Sequence, residues 1–327
     1  MPNPILVEVT RANLVESIHR GSIAIADADG TIRFALGDIE TPVYPRSSLK
    51  PIQALPLIES GAAEAFGLSD EEVALACASH SGEPMHTERV AAWLARIGLS
   101  EADLACGPQA PRYEPALEAM LRAGGKPSRL QNNCSGKHAG FLTLARHWNV
   151  ATAGYERVDH PVQKAVATSL RALSGVNDLP WGVDGCTAPN FALPLAGFAR
   201  ALAKLAGNKT PGAARIVRCM IAHPELVAGS GRACTALMRS SGGRAAVKVG
   251  AEGVYAGILP ERGLGIALKI DDGAARAAET AIAAILDKLG VLGDGARGLL
   301  YAPVLNTRDV TVGERRPAPA LADFPPI

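Results

Sequence analysis

Aromatic residues are scarce, at 4% of a 327-residue chain. Surfaces that stack nucleobases are built from aromatic side chains, so this scarcity argues against such a role. Basic blocks are missing as well. Net charge is +1, so nothing suggests an electrostatic footprint for nucleic acid. There is no apolar run of about 18 residues, the length a membrane-spanning helix needs. The first residues, "MPNPILVEVTRANLVESIHRG", lack a basic start followed by an apolar stretch, so no secretory signal is expected. A cytoplasmic location is therefore expected. There the six cysteines, Cys77, Cys106, Cys134, Cys186, Cys219 and Cys234, are expected as thiols or ligands rather than disulfides. Internal repeats and linkers are also absent, which points to one compact domain over residues 1–327.

What is present is an ordinary globular composition, 48% hydrophobic and 20% charged. "ILVEVTR" and "SIAIADADGTIRFALGD" read as strands, with "DADG" as a hairpin turn. Residues 46–56, "RSSLKPIQALP", begin a helical face at Leu49, Ile52, Leu55 and Ile58. Pro51 suits a first turn, whereas Pro56 predicts a kink or an early end. Ser69 with Glu72 forms a capping box for a helix through "EEVALACAS", which ends at the loop "HSGEP". "MHTERVAAWLARIG" is an amphipathic helix stopped by glycine. Further helical patterns lie near 115–124, 137–148, 160–173, 190–206 and 211–222. "RAAVKVGAEGVYAGILPERGLGIALKIDDG" returns to strands, and "AARAAETAIAAILDKLG" to a helix. The last fifteen residues, "GERRPAPALADFPPI", read as an extended tail. Strands at both ends with helices between predict an α+β fold, an antiparallel sheet with a helical subdomain at roughly 60–225.

Ser47 and Lys50 stand one helical turn apart, where their side chains can meet. A lysine near a helix start is unexpected, because that end carries the positive pole of the dipole. The pair reads either as a nucleophile with its base or as a cap with a solvated lysine. Serine hydrolases of the β-lactamase and penicillin-binding type use S-x-x-K, S-D-N and K-T-G in that order. Here the corresponding stretches are Ser47-Ser48-Leu49-Lys50, Ser79-His80-Ser81 and Lys248-Val249-Gly250. The second and third depart from the pattern, which weakens a literal β-lactamase reading. The chemistry is nonetheless coherent, since a serine hydroxyl needs a base and a buried lysine can lose its proton.

"QNNCSGKHAGFL" places Cys134, Lys137 and His138 at a helix start. "VDGCTAPNFALPL" places Asp184 and Cys186 in a loop. Thiols and imidazole suit zinc, although the spacing matches no common zinc finger. The same cysteines are equally consistent with buried apolar fillers. Cys77, Cys106 and Cys219 lie on apolar patterns and are read as core.

Taken together, "RSSLKPIQALP", "CASHSGE", "NNCSGKHAGFL", "DGCTAPNFALPL" and "KVGAEGVYAGILPERGLGIALKIDDG" resemble the Rhizobium etli-type, or class 3, L-asparaginase family, over about residues 5–310. The resemblance implies a serine β-lactamase-like fold, a homodimer, and hydrolysis of L-asparagine to L-aspartate and ammonia. It implies two Ser-Lys tandems, Ser47 with Lys50 and Ser79 with Lys248. It implies a zinc site of Cys134, Lys137 and Cys186, and substrate contacts at Arg46, His138 and Asp184. Cys234 matches a cysteine near the site with no assigned role. Arg46 suits the substrate carboxylate and Asp184 its ammonium. Two competing readings are a glutaminase or other Ser-Lys amidohydrolase, and a zinc-binding protein without activity on a hydrolase fold.

Overall fold

The structure, a computed structural model, describes residues 2–207 and 211–322. The residues group into two compact units, each assembled from separate stretches of chain. Among the described residues, no helix is long and apolar enough to cross a membrane.

One unit comprises Met1–Ser48, Leu193–Gly207 and Ala236–Ile327. Its centre is an eight-stranded antiparallel sheet. The order runs Ala302–Leu305, Thr311–Pro317, Ile5–Arg11, Leu14–Asp27, Leu264–Ile270, Val254–Leu259 and Ala246–Val249, with Ile32–Leu36 also paired to Leu14–Asp27. The two ends of the chain therefore share one sheet, as the α+β reading expects. Val7 lies opposite Pro317 and Val9 opposite Arg315. The "DADG" hairpin forms as read. Asp27 Oδ1 accepts the backbone N–H groups of Asp29 and Thr31, and Gly30 takes φ +88°, a conformation glycine adopts at little cost.

The middle strands are apolar and buried on successive residues, Ile23 to Ala26 facing Ile266 to Leu268 and their neighbours. That pattern belongs to strands covered on both faces. Helix Leu195–Ala206 packs on this part of the sheet. It comes so close to Gly265 that any Cβ there would strike the backbone of Ala199 and Ala203. Helix Ala275–Lys288 packs on Ile5–Arg11, Val254–Leu259, Leu264–Ile270 and Thr311–Pro317.

Two expectations shift. The tail read as extended instead supplies strand Thr311–Pro317 and then a short helix, Pro319–Ala322; its last residues, 323–327, lie outside the described residues. The helix expected near 190–206 begins only at Leu195. Before it, Leu193–Pro194 pairs with Pro42–Val43, because a residue that precedes proline is pushed into extended backbone.

The other unit comprises Leu49–Ala192 and Asn208–Thr235. It is helical apart from a ribbon of Trp181–Val183 with Pro189–Phe191. The kink predicted at Pro56 is present. Helix Lys50–Gln53 ends at Ala54, and Leu55–Glu59 restarts with proline in its first turn. The Ser69–Glu72 capping box opens helix Asp70–Ala76. Helix Ser135–His147 is buried without interruption from Ser135 to Ala145, the mark of a central helix. Two glycines let it sit there. A Cβ on Gly136 would overlap the Leu75 carbonyl, and one on Gly140 would meet Leu57, Ala76 and Trp93. Because Gly136 carries no side chain, the start of this helix lies directly against the end of Asp70–Ala76. That contact places Cys134 and Lys137 beside the loop that follows Ala76.

Candidate active site

Lys50 is the centre of the helical unit's polar cluster. It is 1% exposed, and its Nζ donates to the Ala78 carbonyl, to Ser79 Oγ at 2.9 Å and to the Asn133 carbonyl at 3.4 Å. The loop that holds Ser79 is fixed at several points. Ser79 N–H donates to Val227 O, and His80 N–H to Asn133 O. His80 Nε2 meets Ser135 Oγ at 2.9 Å, while Gly82 N–H donates to His80 Nδ1. His80 and His86 stack with centroids 4.7 Å apart, and both are fully buried. Burial is the main force that lowers the Lys50 pKa; the Lys137 charge adds to it and the Cys134 thiol opposes it. The proton on Lys50 is thus held loosely, the state a general base requires. The short helix Lys50–Gln53 adds little, because four residues carry only a small dipole.

A second cluster adjoins the first. Lys137 Nζ donates to Cys186 Sγ at 3.1 Å, and Cys134 Sγ lies 3.0 Å from Asn133 Oδ1. Cys134, Lys137 and Cys186 are each no more than 4% exposed. The hydrogen bond with Cys186, and then burial, push the Cys134 thiol up to about 12. The same hydrogen bond, with the Lys137 ammonium, pulls Cys186 down to about 4 against its burial. Burial lowers the Lys137 pKa, but the Cys186 and Cys134 sulfurs outweigh it and hold its ammonium above the ordinary range. The three side chains form a buried cluster in which the contact between Lys137 and Cys186 favours the charged forms of both, with the Cys134 thiol beside them.

Among the described residues, no three His, Cys, Asp or Glu side chains gather as a metal site. A three-ligand set here must include the lysine. Two thiols and an amine, buried and in contact, have donor chemistry that suits zinc. Lys137 would have to give up its proton to ligate, since an ammonium has no lone pair. Cys186 is delivered by the turn of the ribbon. There Asp184 N–H donates to Ala188 O and Thr187 N–H to Asp184 O, and Thr187 takes φ +78°. Asp184 is half-buried in this turn.

His138 is fully buried, one residue past Lys137. Burial, and then the Lys137 charge, lower its pKa to about 3, so the ring is neutral. Cys234 is buried at the start of helix Ala233–Ser240. Cys77, Cys106 and Cys219 are fully buried, as their apolar patterns imply.

The remaining candidates belong to the sheet unit. Arg46 has φ +53°, a conformation rare for a residue with a side chain. It turns the chain sharply into the 3-10 turn Arg46–Leu49, which carries Ser47. Ser48 Oγ closes this turn on Pro45 O at 2.6 Å. Lys248 is 1% exposed on strand Ala246–Val249 and donates to Val249 O at 2.8 Å. The glycine after that strand has a steric reason. A Cβ on Gly250 would sit 2.5 Å from Pro45 O and 3.3 Å from Ser48 N. The end of the Lys248 strand therefore abuts the turn that carries Ser47.

Lys50, Ser79, Cys134, Lys137, His138 and Cys186 are gathered in the helical unit, and Arg46, Ser47 and Lys248 in the sheet unit. Two contributors had not been singled out. Asn133 braces Lys50 with its carbonyl and Cys134 with its side chain, and the "NNC" run was its only signal. Tyr155 bonds His138 from a loop with no motif.

Comparison with known proteins adds three findings. No curated protein matches the chain. Similar solved structures include Mglu in its native form, 15% identical over 89% of this chain and 70% of that one, TM-score 0.49. Others are Mglu in its glutamate form, 15% identical over 84% and 61%, TM-score 0.46, and unliganded simvastatin synthase from Aspergillus terreus, 10% identical over 79% and 90%, TM-score 0.42. The family model for L-asparaginase II matches residues 7–317. With nearly every residue inside that match, the chain belongs to the L-asparaginase II family, the Rhizobium etli type, and is an amidohydrolase of the asparaginase kind.

Proposed function

We propose that the protein hydrolyses free L-asparagine to L-aspartate and ammonia in the cytoplasm, through a serine acyl-enzyme. The observation that carries this reading is Lys50: buried, biased towards its neutral form, and bonded to Ser79 Oγ at 2.9 Å. In this scheme Ser47 is the nucleophile and Lys50 takes its proton. Ser47 Oγ forms a bond to the side-chain amide carbon, and an oxyanion develops. The proton then passes from Lys50 through the Ser79 hydroxyl to the amide nitrogen. The C–N bond breaks and ammonia leaves. Water attacks the resulting ester, Lys50 again takes a proton, and aspartate is released as Ser47 recovers its own. Lys248, paired by motif with Ser79, supports the same proton transfer. Arg46 is assigned to the substrate carboxylate, and Asp184 to its ammonium.

Cys134, Lys137 and Cys186 would hold zinc. Bound there, the ion supplies a fixed positive charge and ties the start of helix Ser135–His147 to the ribbon turn. The chain's own residues carry the proton transfers without it. A homodimer is the proposed assembly.

Ammonia release from L-asparagine and from L-glutamine, measured on the purified protein, tests the reading. Turnover of asparagine well above glutamine is expected. Preference for glutamine would move the assignment to a glutaminase. No ammonia from either, with metal bound, would support a non-catalytic zinc protein.

A further inference from the structure

His138 and Tyr155 are buried, 0% and 1% exposed, and their rings meet edge to face with centroids 5.5 Å apart. Tyr155 Oη lies 2.6 Å from His138 Nδ1 and accepts the Ala105 N–H at 2.9 Å. The phenol has one hydrogen to give. Among the described residues, only His138 Nδ1 stands where it can take it. A ring nitrogen that accepts carries no hydrogen, so the imidazole hydrogen sits on Nε2.

That N–H is the anomaly. His138 Nε2 is buried, and no protein atom among the described residues accepts from it. Buried polar groups in native proteins are almost always paired, because an unpaired one is destabilising. The rest of the arrangement is held firmly. Gln163 Nε2 donates to Tyr155 O at 3.0 Å. Arg129 Nη1 donates to Ala102 O at 3.1 Å and to Leu104 O at 2.6 Å, which fixes the segment that ends in the Ala105 N–H. A donor kept rigid, buried and unanswered by the chain is suited to an acceptor that arrives from outside it.

We propose that Tyr155 is a positioning residue: it locks His138 as an Nε2–H donor to an oxygen of the bound substrate, so that His138 binds and orients rather than accepts a proton. The identity of the substrate rests on the asparaginase reading above, while the tautomer does not. The resulting hydrogen bond involves no transfer of the imidazole hydrogen, and His138 ends the reaction as it began.

The test has two arms, both on the full chain. In protein labelled with nitrogen-15 histidine, long-range proton–nitrogen correlation reads each tautomer, and His138→Gln identifies the His138 signals by their loss. Nδ1 bare and Nε2 protonated is expected in the wild type. In Tyr155→Phe the hydrogen should move to Nδ1 or exchange between the two. Calorimetry with L-aspartate, the product, is the second arm. Tyr155→Phe should weaken binding about three- to tenfold, the share of one hydrogen bond. His138→Gln, which keeps an amide donor, should bind more tightly than His138→Leu. A wild-type hydrogen on Nδ1, or an unchanged tautomer in Tyr155→Phe, overturns the proposal. Equal aspartate binding by wild type and Tyr155→Phe overturns it alone. Expected tautomers with no binding of L-aspartate or L-asparagine by the wild type refute the asparaginase reading and the substrate half of this one. Should Tyr155→Phe fail to fold, the wild-type spectrum and the His138→Gln and His138→Leu pair still decide.

Discussion

Gly136→Ala adds one methyl group at a place where the neighbour cannot yield. The new Cβ would overlap the Leu75 carbonyl, which is backbone at the end of helix Asp70–Ala76. Overpacking of this kind is worth about 1–3 kcal/mol. Against it stands the helix propensity of alanine over glycine, at most about 1 kcal/mol. The balance is a net destabilisation of up to about 2 kcal/mol. Gly140→Ala in the same helix is the control. Its closest neighbour is Leu57 Cδ2 at 3.3 Å, the end of a flexible side chain, so the propensity gain offsets the contact and stability stays within about 0.5 kcal/mol. Activity should separate the two further. The Gly136 contact sets the distance between Cys134, Lys137 and the Ser79 loop, and a displacement near 1 Å is worth about a hundredfold in rate. Urea denaturation and asparagine turnover of both variants check this. Gly136→Ala as stable and as active as Gly140→Ala would refute the claim that this helix–loop contact builds the site.

Lys50→Met should lower kcat/KM by about 10²–10⁴ while the protein stays folded, as loss of a general base does. Because burial lowers the Lys50 pKa, the fraction of free base grows as pH climbs through that value; wild-type kcat/KM should rise with pH there, and the same rise persisting in Lys50→Met would count against Lys50 as the base. Ser47→Ala should lose turnover by orders of magnitude, and Ser47→Ala with Lys50→Met should be little worse than either alone. An acylating asparagine analogue should modify Ser47, and an adduct mapped by mass spectrometry to Ser79 would reverse their roles. With zinc held as proposed, Cys134→Ala should lose it by elemental analysis and lower the melting temperature, with turnover reduced rather than abolished; abolished turnover with an unchanged melt would make the metal catalytic, and wild-type protein without zinc would refute the site.

The local grammar of the chain was readable where one residue acts on its neighbours. Ser69 and Glu72 marked a helix start, Pro56 marked a break, and "DADG" marked a hairpin, and each acts over four residues or fewer. Strand Thr311–Pro317 was harder. "TVGERRP" is charged and proline-ended, with no apolar alternation, and none of its residues is fully buried. It is a strand because Ile5–Arg11 lies beside it, with Arg316 bonded to Glu8 at 3.1 Å, and a partner so distant in sequence leaves no local trace. The site divides in the same way. S-x-x-K and the cysteine motifs marked out the candidate residues. That Lys50 reaches Ser79, that Lys137 bonds Cys186, and that Tyr155 meets His138 all depend on how separate helices and loops pack.

A sheet that joins both ends of the chain also sets an order of events during synthesis. Ile5–Arg11 leaves the ribosome long before one of its two neighbours in the sheet, Thr311–Pro317. The helices of residues 49–192 have all their residues well before that. Until Thr311–Pro317 is made, the strand Ile5–Arg11 keeps an open edge, the kind of surface on which chains pair wrongly. Contacts so far apart in sequence also form slowly once they can form. Ile5–Arg11 therefore waits unpaired on that edge while the intervening residues are made, and charged Glu8 and Arg11 on the strand are well placed to discourage a wrong partner.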